Sequence, residues 1–173
     1  MSKLIPLIIA CTMVSQVLGQ STAQQAGALY QKGLAAEKAG DPAAAKGFYT
    51  AALKADPTNA DARFSLGQLK LTSGSIAAKG REAKFGAVVI PLFQLDNATL
   101  KESLDALSVI IEKQSKDELA PNFVIEDPKN VLAERKITLN LKGMPAQAVM
   151  KYMLDQTGAK ARFDEHAVVI IPR

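Results

Sequence analysis

Residues 136–158, KITLNLKGMPAQAVMKYMLDQTG, restrict the fold of this chain more than any other stretch. Ile137, Leu139 and Leu141 alternate with Thr138, Asn140 and Lys142, the period of a strand with one dry face and one wet face. Gly143 and Met144 are expected to turn the chain, Pro145 fits the first position of a helix, and Gly158 supplies its C-terminal stop. At about 100° per residue, Ala146, Ala148, Val149, Met150, Tyr152, Met153 and Leu154 sweep roughly two-thirds of that helix's circumference. Only Gln147, Lys151 and Asp155 are left for water. A surface helix needs a narrower apolar stripe, so this one is expected to be covered on two sides, by two sheets or by a sheet and another helix.

A length of 173 residues allows one ordinary domain or two small ones. With 48% hydrophobic and 22% charged residues the chain is ordinary globular material. Its formal charge of +4 comes from 21 Lys+Arg against 17 Asp+Glu spread along the sequence, which argues poorly for nucleic acid or anionic lipid. Tryptophan is absent, leaving little to stack on bases. Cys11 and His166 are the only residues of their kinds, so an intrachain disulfide is impossible and a His/Cys zinc site is out of reach.

Lys3 followed by LIPLIIACTMVSQVLG, with small or permissive Val17 and Gly19 before Gln20, reads as a secretory signal peptide over 1–19. Ile8-Ile9-Ala10-Cys11 resembles a loose bacterial lipobox, which makes Cys11 a possible lipidation site and the one route to a membrane. Cleavage after Gly19 would leave no cysteine, as suits an oxidising envelope compartment.

Residues 20–75 read as three helices. Ala23 to Ala39 is the first, and Gly40-Asp41-Pro42 ends it and starts the second with an acidic cap and a proline at the first helical position. Asp56-Pro57 closes the second; Asn59 or Thr58 caps a third that carries Phe64, Leu66 and Leu69 and fades at Ser73-Gly74. Leu29, Gly33, Ala36, Ala45, Tyr49, Ala52 and Pro57 stand where the signature positions of a tetratricopeptide repeat fall, and Leu66-Gly67 begin a second copy. The chain thus resembles one full repeat plus a capping helix. About three repeats are needed for an array to stand alone, so these helices should lean on something. Residues 76–86 are expected as a connector, helical or irregular.

From Ala87 the composition turns β-branched. AVVIPLFQLD is strand-like, and Pro91 confines it to an edge or a bulge. Thr99 and Glu102 form a capping box for a helix lined by Leu100, Leu104, Leu107 and Ile111. NFVIE is a short strand, and KARF and AVVII make a closing hairpin around Asp164-Glu165-His166. The expected order is β-α-β-β-α-β-β, in an α+β chain.

These residues carry a second resemblance. The opening strand before TLKESLDAL, then NFVIEDP, KITLNLKGMPAQAVMKYMLDQTG and ARFDEHAVVIIP resemble the short N-terminal domain shared by bacterial secretins and TonB-dependent receptors, over residues 87–173. The resemblance implies two helices packed between small sheets and a part in envelope assembly, such as secretion or type IV pilus machinery. The segment from Glu112 to Pro121 is longer than the usual turn, and the sequence ends at Arg173, so no channel is expected.

No catalytic, cofactor-binding or metal-ligating residue is expected. His166 falls in a hairpin turn where polar residues are common, and no Walker loop, dinucleotide fingerprint or nucleophile motif occurs. The expected partners are envelope proteins, such as secretin or pilus components, with neither nucleic acid nor a small-molecule substrate. Their candidate contacts are the edge strand, through Val88, Val89, Ile90, Leu92 and Gln94, or the first helix, through Tyr30, Leu34 and Glu37. The alternatives are an accessory domain of an envelope enzyme and a self-associating structural protein.

Overall fold

The computed structural model describes residues 21–173. Helix α1 spans Thr22–Lys38, with Ser21 and Gln24 exchanging the two hydrogen bonds of a capping box. Helix α2 spans Pro42–Ala55, and the Asp41 carboxylate accepts from the Ala44 N–H at 2.8 Å. Helix α3, Ala60–Ala87, is capped by Asn59, whose side chain accepts from the Ala62 N–H at 2.8 Å. Thr58, the other candidate cap, instead donates its hydroxyl to Asp56 at 2.6 Å. The first two helices close into a hairpin because Gly33 leaves room: a Cβ there would collide with the Tyr49 ring. Tyr49 is fully buried, its hydroxyl donates to Glu37 at 2.8 Å, and its ring centroid lies 5.8 Å from that of Tyr30. Burial, then the neighbouring Glu37 carboxylate, pushes the Tyr49 phenol well above its ordinary pKa.

α3 does not fade at Gly74. It continues through the 76–86 segment to Ala87. An interior glycine costs a helix about 1 kcal/mol, a small sum beside what the extension gains. Gly80 rests against the α1–α2 turn, where an added Cβ would lie 2.5 Å from the Gly40 carbonyl oxygen. Five residues on, Phe85 is 1% exposed within the core of the α/β half. One helix therefore packs against α1 and α2 at its start and against that second core at its end. This is the support that an incomplete repeat requires.

The second half runs β1 (Val89–Thr99), α4 (Leu100–Gln114), β2 (Phe123–Ile125), β3 (Lys136–Pro145), α5 (Ala146–Thr157), β4 (Ala159–Phe163) and β5 (Val168–Pro172). Strands β1 and β3 pair antiparallel; β2, β5 and β4 form a second sheet in that order, with β2 parallel to β5 and β4 antiparallel to it. Thr99 and Glu102 make the capping box of α4, whose Leu100, Leu104, Leu107 and Ile111 are all buried. Val168, Val169 and Ile170, on the central strand β5, are buried too.

The expected turn at Gly143-Met144 is not there, because β3 runs on to Pro145. The pairs Ile90↔Met144 and Leu92↔Lys142 set Gly143 opposite Pro91. Proline cannot donate to the ladder, and Gly143 takes φ +61 beside it. Both strands rotate together at this point, so that Ile90 and Phe93, three residues apart, are both buried. A strand without such a kink would bury residues two or four apart. A bulge between Leu95 and Ala98 bends β1 again, where the Asn97 N–H donates to the Thr138 hydroxyl at 3.0 Å. Pro145 becomes the cap residue of α5, and the helix begins at Ala146.

α5 packs against β3 of one sheet, β4 of the other, α4 and the end of α3. Ala146, Val149, Met150, Met153 and Leu154 are buried, as the wide apolar arc requires. Tyr152 departs from that arc: it is 47% exposed. Gly158 ends the helix in the left-handed conformation.

Candidate protein-binding site

In the helical half the structure separates the three residues singled out on α1. Tyr30 is half-buried against Tyr49, and Glu37 accepts the Tyr49 hydroxyl, so both are engaged inside the hairpin. Leu34 is the one that reaches the surface, at 36% exposure. The larger apolar surface lies on α3, where Phe64 and Leu71 are 68% and 83% exposed. Of the three apolar residues that the third helix carries, Phe64, Leu66 and Leu69, only Leu69 is buried, with Leu66 packed at the edge of the same core. The missed signal is the repeat itself, whose period of about 34 residues carries Tyr30 to Phe64 and Glu37 to Leu71. In the first copy α2 folds back and covers these positions with Tyr49. α3 runs straight on, so the second copy's equivalents stay bare.

On β1, Val89, Leu92 and Gln94 are exposed; Val88, expected on the same strand, is instead the half-buried C-cap of α3, and its carbonyl accepts from the Ala146 N–H at 2.8 Å. Ile90 is fully buried, so its side chain is core and not contact surface. Backbone direction follows from Gln156 of α5, whose amide accepts from the Thr138 N–H at 3.2 Å and donates to the Thr138 carbonyl at 3.1 Å. Thr138 thus faces away from β1. By alternation Asn140 and Lys142 face away too, and their partners Gln94 and Leu92 turn N–H and C=O toward the opposite, outer side of β1. Among the described residues no strand lies on that side. Gln156 closes the outer edge of β3 at Thr138, whereas among the described residues no side chain does the same for Leu92 or Gln94 of β1.

The polar hairpin turn offers little chemistry. The His166 side chain is 84% exposed, with Nε2 3.8 Å from Glu165. Arg162 grips Asp164 through two hydrogen bonds of 2.9 and 3.0 Å, which hold that carboxyl below the usual carboxylate range. Among the described residues no group of His, Cys, Asp and Glu is placed to hold a metal ion, and no helix is long and apolar enough to cross a membrane. Cys11 and the 1–19 leader lie outside the described residues. His166→Ala is expected to shift unfolding free energy by no more than about 0.5 kcal/mol in a denaturant titration.

A tetratricopeptide repeat family model matches residues 36–78, from the end of α1 through α2 and well into α3. No curated protein and no solved structure matches the chain. The helical half is therefore tetratricopeptide-like, the signature of a protein–protein interaction module.

Proposed function

We propose that this is an exported adaptor of the periplasm or envelope, in which a tetratricopeptide-like helical module precedes a secretin-type short domain and recruits proteins during assembly of secretion or type IV pilus machinery. The observation that carries the reading is the repeat match over 36–78, together with the bare apolar surface of Leu34, Phe64 and Leu71. The leader-like first nineteen residues support export, and the resemblance over 87–173 supports the secretin side. The adaptor performs no catalysis and needs no cofactor, metal, nucleic acid or small-molecule substrate. Lipidation at Cys11 would tether it to a membrane.

On this reading the outer edge of β1 takes a strand from the partner, bonded to the outward backbone of Leu92 and Gln94. Affinity capture from an envelope fraction, with partners identified by mass spectrometry, tests it. Gln94→Ala should leave capture unchanged, while Gln94→Pro, which removes one outward donor, should cut it about tenfold. A loss on Phe64→Glu or Leu71→Glu with Gln94→Pro unaffected would move the contact to the helical module. Failure of every bait to capture an envelope protein would end the adaptor reading. N-terminal sequencing of the exported protein separates cleavage after Gly19 from a lipid-modified Cys11.

A further inference from the structure

A second bare strand edge belongs to β4, and it differs from β1 in what flanks it. Among the described residues the order β2-β5-β4 gives β4 a neighbour on one side only. Two hydrogen bonds at the ends of its ladder settle which residues face the free side: Asp164 N–H donates to the Ala167 carbonyl at 2.8 Å, and Arg173 N–H to the Gly158 carbonyl at 3.0 Å. Residues 158 and 164 are thus in bonded register with β5, and Lys160 and Arg162 between them share it. Ala159, Ala161 and Phe163 must then turn N–H and C=O to the free side.

Their side chains lie on the opposite face of the strand from the two cations. Ala159 is buried and Ala161 and Phe163 are half-buried, while Lys160 and Arg162 are exposed. Along this strand lies a groove of about 510 Å³ between β4, α5 and the end of α3, whose lining includes apolar Met150, Leu154 and Phe163. The same groove is lined by Lys151, Lys160 and Arg173, with Glu82 its one acidic residue. Lys151 and Arg173 share the Asp155 carboxylate; Lys160 has no ion-pair partner among the described residues. Arg162 is held by Asp164, so Lys151, Lys160, Arg162 and Arg173 face Glu82, Asp155 and Asp164 along this edge, and Lys160 is the cation left without an internal ion pair.

We propose that β4 accepts an extended segment of a partner protein in which apolar residues alternate with aspartate or glutamate, adding a fourth strand to the β2-β5-β4 sheet. Apolar residues of the incoming strand would fall on the Ala161 face and enter the groove; the acidic ones would fall beside Lys160 and Arg162. A second copy of this chain is a poor occupant. Two β4 strands paired about Ala161 would set Lys160 directly against Arg162 of the other copy, and like charges opposite one another destabilise a sheet.

The proposal rests on the protein-recognition reading but uses a different edge, so the two can fail separately. A fluorescein-labelled peptide of alternating valine and glutamate, titrated with the whole chain and followed by anisotropy, should bind saturably and more weakly as salt is raised. Lys160→Glu should weaken it about fivefold. Methylating the peptide's backbone nitrogens at alternate residues should cost about tenfold, as should Ala161→Pro, which an edge position tolerates because its N–H has no internal partner. Gln94→Pro should leave peptide affinity unchanged. Equal binding of a valine–lysine peptide, or full binding by both N-methylated registers, would overturn the proposal, as would a homodimer in sedimentation that Ala161→Pro dissolves. Loss of this site with envelope capture intact removes the β4 proposal alone, and peptide binding without envelope capture removes the adaptor reading alone.

Discussion

Replacing Phe85 with alanine should lower the unfolding free energy by about 3 to 5 kcal/mol, the cost of deleting a buried aromatic ring and leaving a cavity. Phe85 is 1% exposed, and its ring meets Phe163 edge-on at 5.5 Å between centroids and Phe123 at 6.1 Å. Because Phe85 sits at the far end of the helix that also carries buried Leu69, the loss should spread. Amide hydrogen exchange should quicken in α1 and α2 as well as in the sheets, because an incomplete repeat depends on the support α3 transmits. A change confined to β4 and β5, or one below about 1 kcal/mol in urea titration, would mean that the two halves stand independently.

Met153→Ala should cost about 2 to 5 kcal/mol in the same titration. Its side chain is fully buried on a helix that touches both sheets and two other helices, so no single neighbour can move in to fill the space. Leu139→Ala should cost less. Leu139 faces the same core from β3 but is only half-buried, so part of its apolar surface is already wet in the folded state. Equal losses at both positions would show that β3 lies deeper than its exposure indicates.

What was legible in the residues was mostly what short-range chemistry controls. Asp41 with Pro42, Asn59, Thr99 with Glu102, and Gly158 mark helix ends where the structure has them, since a cap satisfies N–H or C=O groups within a few residues of itself. What was not legible depends on a distant partner. Phe64 is apolar and at helical spacing, yet exposed, because whether a face is covered depends on a helix folding back upon it. Ile90 is buried among exposed neighbours on β1, and nothing near it in the sequence marks that, because the rotation at Pro91 depends on Gly143 of β3 opposite it.

The sequence by itself determined where the helices begin to within a residue or two, the caps at Asp41, Thr99 and Gly158, the alternating face of β3 and the tetratricopeptide-like pairing of α1 with α2, where Gly33 admits Tyr49. These rest on periodicity and on contacts between near neighbours. Tertiary structure alone decided that α3 would pass straight through Gly74 and that β3 would continue through Gly143. In the first case the contact of Gly80 with Gly40 and the burial of Phe85 outweigh a locally weak helix position. In the second, pairing with β1 holds Gly143 in a kinked strand where a free chain would turn. Which strand edges stay open was decided largely the same way, since an edge is defined by the partner that is missing from it: Pro91 bars β1 from a central place, but no residue within β4 marks that strand as an edge.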